Sequence, residues 1–287
     1  GGAKWEVHAK AKAMIAVGED VLLLTIGEPD VPPPSALIDT AKAAMNEGRF
    51  GYSNGRGEPA LLAALSARYT ERRGRPITTQ QFMAFPGTQT SLFAVLTGLV
   101  GPGDEVLVGD PMYATYEGVI MAPGAKVVPV PLRPEHGFRM QAADVEARIT
   151  PRSRVLMLNT PHNPTGAVLT AEDILALGRV AKAHDLWILS DEVYEELIFA
   201  DGKFASPLDV ADLAGITFGR ANYSIDNKSG SDTGSNRNKD CVACAFGRAV
   251  TNFSNCCSAY IMSKSNRNLD CSVQEITNRK VLPLQIA

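Results

Sequence analysis

The chain has 287 residues, 45% of them apolar and 21% charged, and its 28 basic and 31 acidic side chains leave a net charge of −3. Such proportions exclude a mainly disordered, collagen-like or coiled-coil protein. The charge balance leaves no basic footprint for nucleic acid, and no apolar stretch approaches the roughly 18 residues of a membrane helix, so neither partner is expected. The start, Gly1-Gly2-Ala3-Lys4-Trp5, carries neither an initiator Met nor a signal-peptide core. A cytoplasmic chain, or one cut at its front, is the expectation.

Residue usage changes along the chain. All five cysteines fall at positions 241, 244, 256, 257 and 271, which suits a reducing compartment for the first 240 residues. Seventeen of the eighteen prolines lie before residue 216, whereas nine of the thirteen asparagines lie after it. Hydrophobic periodicity fades beyond the same point. A break is expected near Gly215, followed by an Asn/Ser/Cys-rich tail over 216–287 that is poorly folded or foreign to the rest. Cys241, Cys244, Cys256 and Cys257 offer a four-thiolate zinc site on paper. Adjacent cysteines serve one tetrahedral ion badly, so unpaired thiols and no metal are expected.

In chain order, residues 4–17 have a loosely helical pattern. Val21 to Ile26 is an apolar run that enters a loop at Gly27-Glu28-Pro29-Asp30 and three prolines. Ser35 is expected to cap a helix reaching Asn46, and Pro59 fits the first turn of a helix over 58–73. Strands are expected at 82–85, 105–108, 126–130, 154–158 and 186–189. Helices are expected at 88–99, 113–121 and 171–184. The last has a Thr170/Asp173 capping box and an inner face of Ile174, Leu177 and Ala181. This alternation implies an α/β fold, a mostly parallel sheet flanked by helices, with ligands bound beyond the carboxyl ends of the strands.

Unusual residues cluster at those ends. Gly87-Thr88-Gln89 joins a strand to a helix, where free amides and the helix dipole favour an anion such as a phosphate; an ordinary Thr-capped turn is the plainer reading. Asp191 closes an apolar strand, and a carboxylate there needs a partner: a salt bridge, a helix cap or a protonated ring nitrogen. Asn159-Thr-Pro-His-Asn163-Pro-Thr-Gly166 sets polar side chains among rigid turns, with His162 read as a loop histidine and not a metal ligand. Asp110-Pro-Met-Tyr113 places an aromatic ring after another strand. Together an anion turn, an aromatic plate, an Asn and a buried Asp could hold a flat, phosphorylated, protonated heteroaromatic ring.

From Trp5 to Ala214 the chain resembles the class I/II aminotransferases, the fold-type-I enzymes that use pyridoxal 5′-phosphate. The resemblance rests on Gly27-Glu-Pro-Asp30, Tyr52-Ser-Asn-Gly-Arg-Gly57, Pro86-Gly-Thr-Gln89, Asp110-Pro-Met-Tyr113, Asn163-Pro-Thr-Gly166 and Ser190-Asp-Glu-Val-Tyr194. It implies that Gly87, Thr88 and Gln89 cradle the phosphate and that Tyr113 stacks on the pyridine ring. Asn163 and Tyr194 would hydrogen-bond the phenolic oxygen, and Asp191 would keep the ring nitrogen protonated. Tyr52 would reach the phosphate of a neighbouring subunit, implying a homodimer, and Gly27 would lie beside the substrate. The implied reaction moves an amino group between an amino acid and a 2-oxo acid, with the aspartate and arginine–pyruvate transaminases as the most similar subgroup. A carbon–sulfur β-lyase on the same fold and a non-catalytic remnant are the alternatives. The implied domains are an N-terminal segment over 1–30, a partial cofactor-binding large domain over 31–215, and the tail. The family's Schiff-base lysine should follow Asp191 by one loop and one strand, in a Ser-x-Ser-Lys context. Lys228 stands near that distance without the context, and Lys264 has a closer context but lies too late. The family's small domain, with its substrate-carboxylate arginine, has no recognisable counterpart.

Overall fold

The computed structural model describes residues 3–27, 31–199, 202–222 and 258–262. Three helices come first: α1 (Ala3–Ala16), α2 (Ser35–Asn46) and α3 (Pro59–Arg73). Pro59 sits at the head of α3, and Gly74 ends it in the left-handed region at φ 60°. At α2 the expected cap shifts by one residue. Pro34, extended at φ −54° and ψ 139°, takes the cap position, and Ser35 is already the first helical residue with no side-chain cap bond. The run from Val21 to Ile26 forms no strand, and Leu22 and Leu24 are exposed.

From β1 (Phe82–Phe85) the chain alternates through α4 (Thr88–Leu99), β2 (Glu105–Asp110), α5 (Tyr116–Met121) and β3 (Lys126–Pro131). It continues through α6 (Ala142–Glu146), β4 (Ser153–Asn159), α7 (Ala171–Ala183), β5 (Trp187–Asp191), α8 (Ala211–Ala214) and β6 (Thr217–Asn222), with β7 (Ser258–Met262) the last among the described residues. Among the described residues, seven strands form one sheet in the order β1-β7-β6-β5-β4-β2-β3. β2 runs parallel to β3 and β4, β4 to β5, and β5 to β6; β7 is antiparallel to β1 and β6. Because β7 opposes both of its neighbours, β1 points the same way as β6 and the parallel set. The carboxyl ends of β1, β2, β4 and β5 therefore lie along one edge.

The side-chain period of two splits the core between both faces of the sheet. Val106, Val108, Val155, Met157 and Leu189 pack against Leu92 and Leu96 of α4 and Ile120 of α5. Leu107, Leu156, Leu158 and Ile188 pack on the other face against Val145 of α6, Ile174, Leu177 and Ala181 of α7, and Leu213 of α8. Burial on both faces is what parallel strands require, and it explains why they read as continuous apolar runs. The capping box of α7 is formed: Thr170 Oγ1 accepts from the Asp173 amide at 3.2 Å, and Asp173 Oδ2 accepts from the Thr170 amide at 2.8 Å.

The sheet does not stop at the compositional break. β6 lies on the far side of Gly215 and pairs with β5 from Ile188↔Thr217 to Asp191↔Arg220, while the Phe218 ring packs on Trp187 at 5.2 Å. Further along, β7 lies between β1 and β6.

Candidate active site

The site is assembled from loops that leave the common carboxyl edge. Asn159 and Asp191, the last residues of β4 and β5, are register partners. Asn159 Nδ2 donates to the Asp191 carbonyl at 3.0 Å and to the Pro161 carbonyl at 3.2 Å, and its Oδ1 accepts from the Asn163 amide at 2.8 Å. One amide side chain thus fixes the exit of β4, bringing Asn163 round toward β5. The loop closes on itself through His162, whose amide donates to the Ala167 carbonyl and whose carbonyl accepts from the Gly166 amide. The His162 ring is buried, with Nδ1 2.7 Å from Thr165 Oγ1. Burial pushes its pKa down, against a hydrogen bond to the Pro111 carbonyl that raises it. These contacts suit the reading of His162 as a loop residue.

Asn163 Nδ2 then lies 3.3 Å from the Tyr194 hydroxyl, so two side chains expected to share one ligand oxygen do converge. Asp191 is 2% exposed. Its Oδ1 accepts from the Val193 amide at 3.2 Å and its Oδ2 from the Tyr116 hydroxyl at 2.6 Å. The Tyr113 ring meets the Tyr116 ring edge-on, with centroids 5.6 Å apart and planes at 80°.

On the β1 side, Gly87 precedes α4 at φ 86° and ψ 154°, a conformation that favours glycine. The first amides of α4 follow it, with Thr88 buried. Gln89 Nε2 donates to Thr115 Oγ1, tying this anion-favouring turn to the loop that carries Tyr113. The loop bearing Tyr52 is anchored to β1: the Ala84 amide donates to the Arg56 carbonyl at 2.8 Å, and Arg56 Nη2 donates to the Phe82 carbonyl at 3.2 Å. A Cβ on Gly57, at φ 118°, would come within 2.8 Å of Ala84 Cβ, so this close approach requires glycine. Tyr52 itself is fully exposed and Gly27 is exposed, and none of the contacts above involves either residue.

The structure therefore brings together Gln89, Tyr113, Asn163, Asp191 and Tyr194, with Gly87 and Thr88 at the same edge. Lys228, Lys264 and the four cysteines weighed for zinc lie outside the described residues. Sequence reasoning missed Asn159 and Tyr116. The signal for Asn159 was its place as the last residue of an apolar strand; Tyr116 had only its spacing of three from Tyr113.

A second polar cluster lies immediately after Asp191. Glu192 is fully enclosed, and its Oε1 accepts from Ser206 Oγ at 2.6 Å and Ser190 Oγ at 2.8 Å. Burial pushes its carboxyl up to about 8, against the two serine hydrogen bonds. Glu195, also buried, is raised by desolvation and pulled back by Arg72. Its Oε1 accepts from the Tyr69 hydroxyl at 3.2 Å. Its Oε2 is 3.0 Å from Arg72 Nη1, an ion pair by distance that lacks hydrogen-bond alignment. Arg73 pairs with Asp209 at 3.3 Å. These contacts bind α3 to the segment after β5 and to the turn before α8.

The donor set fits pyridoxal phosphate: helix-start amides for a phosphate, an aromatic face, an Asn–Tyr pair for an oxyanion, and an enclosed carboxylate for a protonated nitrogen. The sequence model described as "Aminotransferase class I and II" matches residues 19–219. The arginine–pyruvate transaminase of Pseudomonas aeruginosa is 45% identical over 214 residues, covering 75% of this chain and 54% of that protein. The aspartate/prephenate aminotransferase of Thermus thermophilus is 37% identical over 205 residues, covering 71% and 53%. The chain thus spans about half the length of these curated relatives. Among solved structures, aspartate aminotransferase from Thermus thermophilus with maleate superposes with a TM-score of 0.71 at 35% identity, over 77% of this chain and 57% of that one. Aspartate aminotransferase from Thermotoga maritima gives 0.76 at 31% identity, over 91% and 63%. The chain belongs to the class I and II aminotransferases, whose cofactor is pyridoxal phosphate.

Proposed function

We propose that this chain forms the cofactor-binding part of an enzyme that transfers an amino group between an amino acid and a 2-oxo acid. The observation that carries the reading is the enclosed Asp191 carboxylate beside the converging Asn163 and Tyr194 side chains. When bound, pyridoxal phosphate supplies an electron sink for the negative charge that develops at the substrate's α-carbon. The protein's part is orientation and electrostatics. Gly87, Thr88 and Gln89 hold the phosphate, Tyr113 covers the ring face, Asn163 and Tyr194 hold the phenolic oxygen, and Asp191 faces the ring nitrogen. Gly27 borders the substrate, and Lys228 is the candidate for the covalent attachment.

A homodimer in the cytoplasm is part of the proposal. Its support is Tyr52, fully exposed and so free to reach a second chain, within an N-terminal region that also exposes Val17, Leu22, Leu24, Val31 and Phe50. Apolar exposure on that scale suits a covered surface. The segments 1–30, 31–215 and 216–287 are retained as its proposed divisions.

The test is a visible spectrum of the purified protein with added pyridoxal phosphate, then borohydride reduction and peptide mapping. A reduced adduct on Lys228 or Lys264 would show that the chain supplies the Schiff-base lysine, and assays of amine transfer to an added 2-oxo acid would follow. Release of ammonia and pyruvate instead would assign β-lyase chemistry, and no lysine adduct would leave a scaffold without its reactive group.

A further inference from the structure

Tyr116 has no role in the site as assigned, yet it touches two of the side chains that form it. Its ring is 1% exposed and is packed in the apolar layer with Val108, Ile120 and Met157. A ring so enclosed cannot swing its hydroxyl away. That hydroxyl lies 2.6 Å from Asp191 Oδ2, a short distance typical of donation to a carboxylate. The Val193 amide holds the other oxygen at 3.2 Å. With a donor on each oxygen the plane of the carboxylate is set. The same tyrosine meets Tyr113 edge-on at 5.6 Å. Tyr116 also begins α5 directly after Thr115, the residue bonded to Gln89. One rigid side chain therefore links the carboxylate, the aromatic plate and, through the backbone, the anion turn.

We propose that Tyr116 is a positioning residue that orients Asp191 toward the ring nitrogen of pyridoxal phosphate and fixes the tilt of Tyr113. This rests on the cofactor reading given above. Without the hydroxyl, Asp191 Oδ2 loses a charge-assisted hydrogen bond within a low-dielectric enclosure, and the carboxylate is free to turn from the nitrogen. A purely structural role for Tyr116 would lower the stability of the fold and leave the choice between ligands unchanged.

The experiment measures equilibrium binding to the full chain of pyridoxal phosphate and of its 1-deaza analogue, which has carbon in place of the ring nitrogen. Wild type, Tyr116→Phe, Asp191→Ala and the double variant are compared, each with its melting temperature. The expected result is a loss of about tenfold in pyridoxal phosphate affinity for Tyr116→Phe, the scale of one hydrogen bond to a charged group. The deaza analogue should be almost unaffected, and Tyr116→Phe should add nothing once Asp191 is alanine. If Asp191→Ala weakens the cofactor selectively while Tyr116→Phe does not, or weakens both ligands alike, the positioning role is overturned. If Asp191→Ala itself leaves the preference for the ring nitrogen unchanged, the cofactor reading fails instead. Should Tyr116→Phe not fold, Tyr116→His keeps a ring with an N–H donor. It should retain part of the preference, and its complete loss would count against the proposal.

Discussion

The Ser206 hydroxyl donates to Glu192 Oε1 across 2.6 Å, and with the Ser190 hydroxyl on the same oxygen it encloses a carboxyl raised to about 8 by burial. The pH dependence follows from that direction. In the unfolded chain the group loses its proton near its ordinary value, whereas in the fold it keeps it until about 8. Stability is therefore full below the ordinary carboxyl range and falls by about 1.4 kcal/mol per pH unit as pH rises toward the folded value. Above that value both states are ionised and the slope from this group ends. Glu192→Gln keeps an oxygen to accept from both serines and removes the titration. Urea unfolding at about pH 5, 6.5 and 8 should show the variant gaining on wild type as pH rises. Parallel stability curves for the two proteins would reject the assignment.

The Asn163–Tyr194 pair makes a separate prediction about ligand affinity. Tyr194 is half-buried, and its hydroxyl accepts from Asn163 Nδ2 at 3.3 Å. A contact of that length contributes little to the fold. If the pair is set for a ligand oxygen, Tyr194→Phe should weaken pyridoxal phosphate binding by about 0.5–1.5 kcal/mol, a net hydrogen bond. Its melting temperature should stay close to wild type. Fluorescence titration with the cofactor beside a thermal melt separates the two quantities, and a large drop in melting temperature with unchanged affinity would make Tyr194 a structural residue.

Much of the large domain was legible because its signals are local. In α7 the inner face of Ile174, Leu177 and Ala181 repeats at helical spacing, and Thr170 and Asp173 mark its start within four residues. Asp191 and Asn163 were legible as polar residues beside apolar strands. Tyr116 was not, because its partner is 75 residues away in sequence and an isolated tyrosine reads equally well as core. The buried pairing of Glu192 with Ser206 was hidden for the same reason, since Ser206 lies beyond an intervening loop. β6 was missed because Thr217–Asn222 has little apolar alternation; it is held by its ladders with β5 and β7, and Phe218 packs on Trp187. Ser35 misled because three prolines precede it, and Pro34 already had the extended geometry that a cap requires.

The capping box of α7 can be tested alone. Asp173 Oδ2 has a second partner in Arg139 Nη1 at 2.6 Å, so the two halves of the box are unequal. Thr170→Ala removes the acceptor for the Asp173 amide and a hydroxyl donor to Asp173 Oδ2 at 3.0 Å, keeps the Thr170 amide bond to Asp173, and should cost about 1 kcal/mol. Asp173→Ala also strands the Arg139 contact and should cost more. Chemical denaturation of both variants gives the order, and a larger loss for Thr170→Ala would show that the arginine contact contributes nothing.

Gly178, in the middle of α7, sets two effects against each other. By helix propensity alone, Gly178→Ala should stabilise the fold by about 1 kcal/mol. An added Cβ, however, would come within 2.3 Å of Leu213 Cδ1 and 2.6 Å of its Cδ2. A leucine can usually turn away from such an approach, but Leu213 is 3% exposed within the core layer that holds α8 against the sheet. Overpacking of this kind costs about 1–3 kcal/mol, which outweighs the propensity gain. Gly178→Ala is therefore expected to be net destabilising in urea unfolding. Leu213→Ala makes room for the new methyl, so the double variant should lose less than the sum of the single losses. Full additivity would mean that α7 and α8 do not press on each other at this point.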